Sequence, residues 1–73
     1  MTSKETEYFI LLIESYAAYH QRSGQEIFNL LFENDLIPYV YKMYDLYHIE
    51  DMSHAFDDLD ERLGLQGISM KIQ

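Results

Sequence analysis

From Tyr8 to Leu63 the apolar residues recur at spacings of three and four, the repeat of helices that bury one face. Only three glycines and one proline interrupt the chain. Strand-like alternation is absent over any useful length, so the pattern predicts an all-α fold.

The first helix is expected from Lys4 to Arg22, with Thr2 as N-cap and Glu5 as its reciprocal partner. Phe9, Leu12, Ile13, Tyr16 and His20 form one stripe, widened by Ile10 and Ala17. Leu11 falls on the polar side with Glu7, Glu14 and Ala18. Ser23-Gly24-Gln25-Glu26 has the form of a capping box and opens the second helix. That helix carries Ile27, Leu30 and Leu31 on one face, with Phe28 and Phe32 as an adjacent row, and ends at Asn34-Asp35. A third helix is expected from Leu36 to Tyr47, with Pro38 accommodated in its first turn. It is apolar nearly all round, so it is either central or partly an interface. The fourth helix has a core stripe of Met52, Ala55, Phe56, Leu59 and Leu63, and Gly64 is its expected stop. Residues 1–64 thus read as one domain, a compact bundle of four short helices. Residues 65–73 read as a less ordered C-terminal tail.

A chain of 73 residues has a thin core and draws stability from a supplement such as a disulfide, a metal or a partner. It has no cysteine, which removes disulfides and thiolate metal sites and leaves association as the expected supplement. No apolar run approaches the ~20 residues that span a bilayer. The N-terminus lacks the layout of a secretory signal, so a cytoplasmic protein is expected. The net charge of −8 opposes binding to nucleic acid or anionic membrane. Glu50, Asp51, Asp57, Asp58, Asp60 and Glu61 fall together with no Lys or Arg among them.

Asp57 and Glu61 lie one turn apart opposite the core stripe of the fourth helix, flanked by Asp58 and Asp60. One helical face does not wrap a hard cation in six or more oxygens. Paired carboxylates working as acid and base need burial, which this pattern does not indicate. His48 and His54, with Glu50 and Asp51 between them, make a nominal zinc set, but the spacing matches no standard motif. The expectation is instead that His48 donates to a backbone carbonyl and fixes the turn. With no cysteine nucleophile and no phosphate-binding glycine loop, no catalytic residue and no cofactor or metal are expected. Seven tyrosines remain, four of them in the third helix. Their apolar bodies and polar tips suit both a wet core edge and an interface. Tyr39, Met43 and Tyr47, with Asp57, Asp58, Asp60 and Glu61, are the expected partner-binding residues.

Four stretches carry a resemblance: Tyr8-Phe9-Ile10 through Ile13-Glu14; Ser23-Gly24-Gln25-Glu26 leading to Leu31-Phe32; Tyr44-Asp45-Leu46-Tyr47-His48; and Asp57-Asp58-Leu59-Asp60-Glu61. Together, over roughly Glu7 to Leu63, the chain resembles a family of small acidic bacterial domains of unknown function. After His48 it departs from that family's threonine and glycine-containing turn, carrying Ile49-Glu50-Asp51 instead. The resemblance implies a gene position beside proteins resembling ADP-ribosyltransferases, and a role as the small partner of a toxin–antitoxin pair. It assigns no catalytic residue. The function expected is therefore a non-catalytic protein-binding module, antitoxin-like or accessory. The alternatives are a self-associating homodimer and an acidic mimic of nucleic acid.

Overall fold

In the computed structural model, which describes residues 3–70, the chain is all-α, and the described residues include no strand. The elements are α1 (Lys4–Tyr19), α2 (Gly24–Glu33), α3 (Ile37–Lys42), α4 (Tyr44–Tyr47) and α5 (Met52–Leu65). The radius of gyration, 11.5 Å, is close to the ~11 Å of a folded domain this long.

Each long helix starts on a side-chain cap that accepts an otherwise unpaired backbone N–H. Ser3 Oγ accepts from Thr6 N at 3.1 Å, and Ser23 Oγ accepts from Glu26 N at 3.1 Å. Asp51 accepts from Ser53 N at 3.1 Å to open α5. The second cap falls on the expected Ser23, with Glu26 Oε1 accepting the Ser23 hydroxyl at 3.4 Å rather than its backbone N–H. The first is shifted by one residue, because Ser3 rather than Thr2 takes the cap and Thr6 rather than Glu5 answers it. Thr2 itself lies outside the described residues.

The three long helices also end alike. At each C-terminus a residue with positive φ turns the chain, and two backbone bonds close the last turn as a Schellman motif. For α1 the turning residue is Gln21 (φ 57°), with Arg22 N on Ala17 O at 2.8 Å and Gln21 N on Ala18 O at 3.1 Å. This ends α1 at Tyr19, short of the expected Arg22. For α2 the residue is Asp35 (φ 58°), with Leu36 N on Leu31 O at 2.8 Å. For α5 it is Gly67 (φ 82°), with Ile68 N on Leu63 O at 3.0 Å. Gly64, the expected stop, lies inside α5 with open space where a Cβ would stand.

The expected third helix is divided. Met43, with φ −85° and ψ 0°, breaks it into α3 and α4. A single straight helix apolar all round could not bury every row in so small a domain. The break lets Val40 enter the core from α3 and Tyr47 enter it from α4. Pro38 sits in the first turn, where its missing N–H costs nothing.

The core joins Phe9, Leu12, Ile13, Tyr16 and Ala17 of α1 to Ile27 and Leu31 of α2. Val40, Tyr47, Ala55, Leu59 and Leu63 complete it from the other helices. Beyond α5, Ile68 packs against this core and Met70 is buried in it, so part of the expected tail closes the fold. Lys71, Ile72 and Gln73 lie outside the described residues. None of the described helices is long and apolar enough to cross a membrane.

The cap geometry sets the sign of three substitutions. Gly64→Ala should stabilise the fold by up to about 1 kcal/mol, because it removes a flexible residue from a helix interior with room to spare. Gln21→Gly should also stabilise, by about 1 kcal/mol, by relieving a left-handed non-glycine residue. Gly67→Ala should cost about 1 kcal/mol for the opposite reason. Urea denaturation of the three variants checks the ordering. A stabilising Gly67→Ala would contradict the assigned turn.

Candidate functional site

Two features stand out on the assembled fold: a set of tyrosine–carboxylate contacts around α5, and an uncovered aromatic face on α1 and α2.

The acidic residues of α5 do not act as one face. Asp58 and Asp60 are half-buried and turn toward neighbouring helices, while Asp57 and Glu61 stay exposed. Asp60 Oδ1 accepts the hydroxyl of Tyr16 and, at 2.9 Å, His20 Nε2. Tyr16 is fully buried and His20 is only 6% exposed, so the last turns of α1 are fastened to the middle of α5. Asp58 Oδ2 accepts two hydroxyls, from Tyr39 of α3 and Tyr47 of α4. One turn further along α5, the Arg62 guanidinium lies over the Tyr39 ring, 4.4 Å from its centroid. A cation over a tyrosine face is worth about 0.5–1 kcal/mol where exposed.

These contacts leave their mark on the tyrosines. Burial first, and then the hydrogen bond to a carboxylate that would meet a second negative charge, push the Tyr16 and Tyr47 phenols well above the ordinary value of 10.0. Tyr39 is raised by the same causes and Tyr8 by burial. Tyr8 differs in another way: its hydroxyl is buried with no hydrogen-bond partner, and its ring meets Tyr44 edge-on at 5.6 Å.

The expected partner-binding residues therefore divide. Tyr47 is buried at 3% exposure and, with Tyr39, is spent on Asp58; Met43 packs against the core. Asp58 and Asp60 are internal acceptors, which corrects the expectation that no carboxylate here is drawn inward. Of the set, Asp57 and Glu61 alone present free carboxylates on an exposed face. The nominal metal set is also dispersed. His48 Nδ1 donates to Tyr44 O at 2.7 Å, as expected, and its ring stacks on Tyr44. His54 Nδ1 pairs with Glu50 at 2.8 Å, which raises the His54 pKa, and Asp51 caps α5. Among the described residues, no three His, Asp or Glu side chains are grouped to hold a metal.

The uncovered surface lies elsewhere. Phe28 and Phe32 stack with centroids 6.2 Å apart, yet they are 42% and 66% exposed. Phe28 meets Phe9 edge-on at 6.3 Å, and Phe9 meets Tyr41 at 5.0 Å. Ile10 stands beside them, 54% exposed. The adjacent Phe28 and Phe32 row was legible as a pattern, and its exposure was not. The missing signal was that α2 already buries Ile27 and Leu31 on its inner face, leaving this second row with no helix to cover it.

The class defined by this fold is a small acidic helical domain, held by tyrosine–carboxylate contacts and apolar on one outer face. The family model described as "Protein of unknown function (DUF3791)" matches residues 7–63, and the chain belongs to that family. All four stretches that carried the resemblance fall within the matched span, and the fold brings them into contact in pairs. Glu14 lies against Gly24, and Tyr47 donates to Asp58. No curated protein and no solved structure matches the chain.

Two predictions test the contacts. Asp58→Ala strips the acceptor from two hydroxyls, one of them buried, and should cost about 2–3 kcal/mol, whereas Asp57→Ala on the exposed face should stay within about 0.5 kcal/mol. Adding Tyr47→Phe to Asp58→Ala should recover part of the loss, and equal costs for the two Asp variants would refute the assignment. The second prediction concerns pH. The folded-state values of Tyr8, Tyr16, Tyr39 and Tyr47 are raised. Their contribution to stability is therefore complete below the unfolded tyrosine value and lost as pH rises beyond it. Tyrosinate absorbance from these four should emerge only as helical circular dichroism disappears. Titration of all seven tyrosines with the helices intact would count against it.

Proposed function

We propose that the domain is a non-catalytic protein-binding module, an antitoxin-like or accessory partner of a protein encoded beside it. The observation that carries this reading is the aromatic face of Ile10, Phe28 and Phe32, left open in a domain too small to spare apolar surface. The inward engagement of Asp58 and Asp60 supports it from the other side. Those carboxylates already hold internal donors, so they are poorly placed as an acid–base pair or as part of a phosphate-like array. A bacterial toxin resembling ADP-ribosyltransferases is the target that the family resemblance favours, and the cytoplasm is the matching compartment.

Self-association through the same face is the second reading, since one exposed apolar surface serves either purpose. A net charge of −8 on each copy works against it.

Co-expression with the neighbouring gene product, followed by size-exclusion chromatography with light scattering, separates the readings. The expected result is a stable hetero-complex, relief of the neighbour's toxicity, and a monomer when the domain is alone. Separate elution without relief of toxicity would end the proposal, and a dimer of the domain alone would replace it.

A further inference from the structure

The aromatic face has a shape and a charge that define its occupant. A shallow cleft of about 240 Å³ lies on one side of the Phe28–Phe32 row, bounded by Phe9, Ile10, Ile13, Glu14, Gly24 and Phe28. A second, of about 330 Å³, lies at the other end against Phe32, Asp35, Ile37 and Pro38. Each cleft is mainly apolar and carries one carboxylate, Glu14 beside Gln25 in the first and Asp35 in the second.

Gly24 helps to shape the first cleft. A Cβ at that position would stand 2.3 Å from Glu14 Oε1, so glycine leaves room for this flexible carboxylate against the start of α2. The two carboxylates flank the ten residues of α2, a length of about 15 Å. No Lys or Arg occurs between Ser23 and Tyr41, where Glu33 and Asp35 do, and Glu26 is paired with Arg22 at 3.8 Å at the edge of the strip. The surface is thus an apolar strip inside a negative field, with an anion at each end.

We propose that this strip is the docking groove for an amphipathic, basic helix of a partner protein. Apolar side chains of that helix cover Phe28 and Phe32. Two of its Lys or Arg residues, about eleven positions apart and so on one face, meet Glu14 and Asp35. A second copy of this chain is the wrong occupant, because a self-complementary pairing would bring the same carboxylates to the interface from both sides. The inference rests on the protein-binding reading and names the partner's chemistry.

The test uses a synthetic helical peptide of about eighteen residues, with a Leu/Ala face and two Arg eleven positions apart, alongside the same peptide with Glu in place of Arg. Binding is read by fluorescence anisotropy. The Arg peptide should bind and the Glu peptide should not. Phe32→Asp, at the more exposed ring, should weaken binding at least about tenfold, with Phe28→Asp as a second variant once circular dichroism shows it folded. Glu14→Gln and Asp35→Asn should each weaken it by up to about fivefold at low salt, an effect that shrinks as salt rises. Asp45→Asn, exposed on α4, should leave affinity unchanged. Failure of the Arg peptide to bind would overturn the proposal. So would affinity indifferent to Phe32→Asp, or as sensitive to Asp45→Asn as to Glu14→Gln. A co-expressed hetero-complex that persists with Phe32→Asp and Glu14→Gln would remove this groove while sparing the protein-binding reading. Absence of any hetero-complex would strike at that reading itself.

Discussion

Two aspartates of α5 hold the helices in register. Asp60 takes donors from α1, and Asp58 takes donors from α3 and α4, so three elements converge on one helix through side-chain hydroxyls. The chemistry explains why tyrosine fills these places. Its ring supplies apolar area to a core short of it, and its hydroxyl must then find an acceptor or lose the energy of its water contacts. A carboxylate is the strongest acceptor available, and the bond it makes is worth about 1.5–3 kcal/mol rather than ~1 for a neutral pair. Tyr8 shows the other case, with a buried hydroxyl that has no partner among the described residues. Its ring still packs between α1 and α4, so packing keeps it in place despite the unpaired oxygen.

This arrangement alters what the acidity of the chain means. In one dimension Asp57, Asp58, Asp60 and Glu61 look like a block of like charge. In three, the helical repeat sends Asp58 to Tyr39 and Tyr47 and Asp60 to Tyr16 and His20 on the opposite flank of α5, and leaves Asp57 and Glu61 outside. Half of the apparent patch is therefore structural. The carboxylates that combine with open apolar surface are different ones, Glu14 and Asp35, both outside that block.

The fold was legible where it depended on local rules. The stripe from Phe9 to His20, the Ser23 cap, the Leu59–Leu63 face and the bond from His48 to the backbone all follow from spacing or capping chemistry. Three features were not legible, each for a physical reason. Left-handed residues at Gln21 and Asp35 are tolerated because two backbone bonds and core packing hold them, which no propensity reveals. The break at Met43 arises because two apolar rows need different neighbours, a demand set by the other helices. The inward turn of Asp58 depends on Tyr39 and Tyr47 reaching it from well back in the chain. The tyrosines suited either a core edge or an interface on sequence alone, and only their acceptor, Asp58, places Tyr39 and Tyr47 at the core edge.

Where surplus surface remains is decided by geometry. With α3 and α4 short and α5 fastened across α1, the inner faces of α1 and α2 are covered, but none of the described helices lies over the flank they share. Phe28 and Phe32 occupy that flank. A solvated helix does not need the Phe32 ring there, and Ile27 and Leu31 already fill the buried positions of α2, while Phe28 gives only part of its ring to Phe9. Two stacked phenylalanines exposed between the clefts that hold Glu14 and Asp35 are hard to account for by stability. They are readily accounted for by something that binds there. On the proposed reading, folding and function draw on separate sets of residues: tyrosines and aspartates around α5 for the first, and Phe28, Phe32, Glu14 and Asp35 for the second.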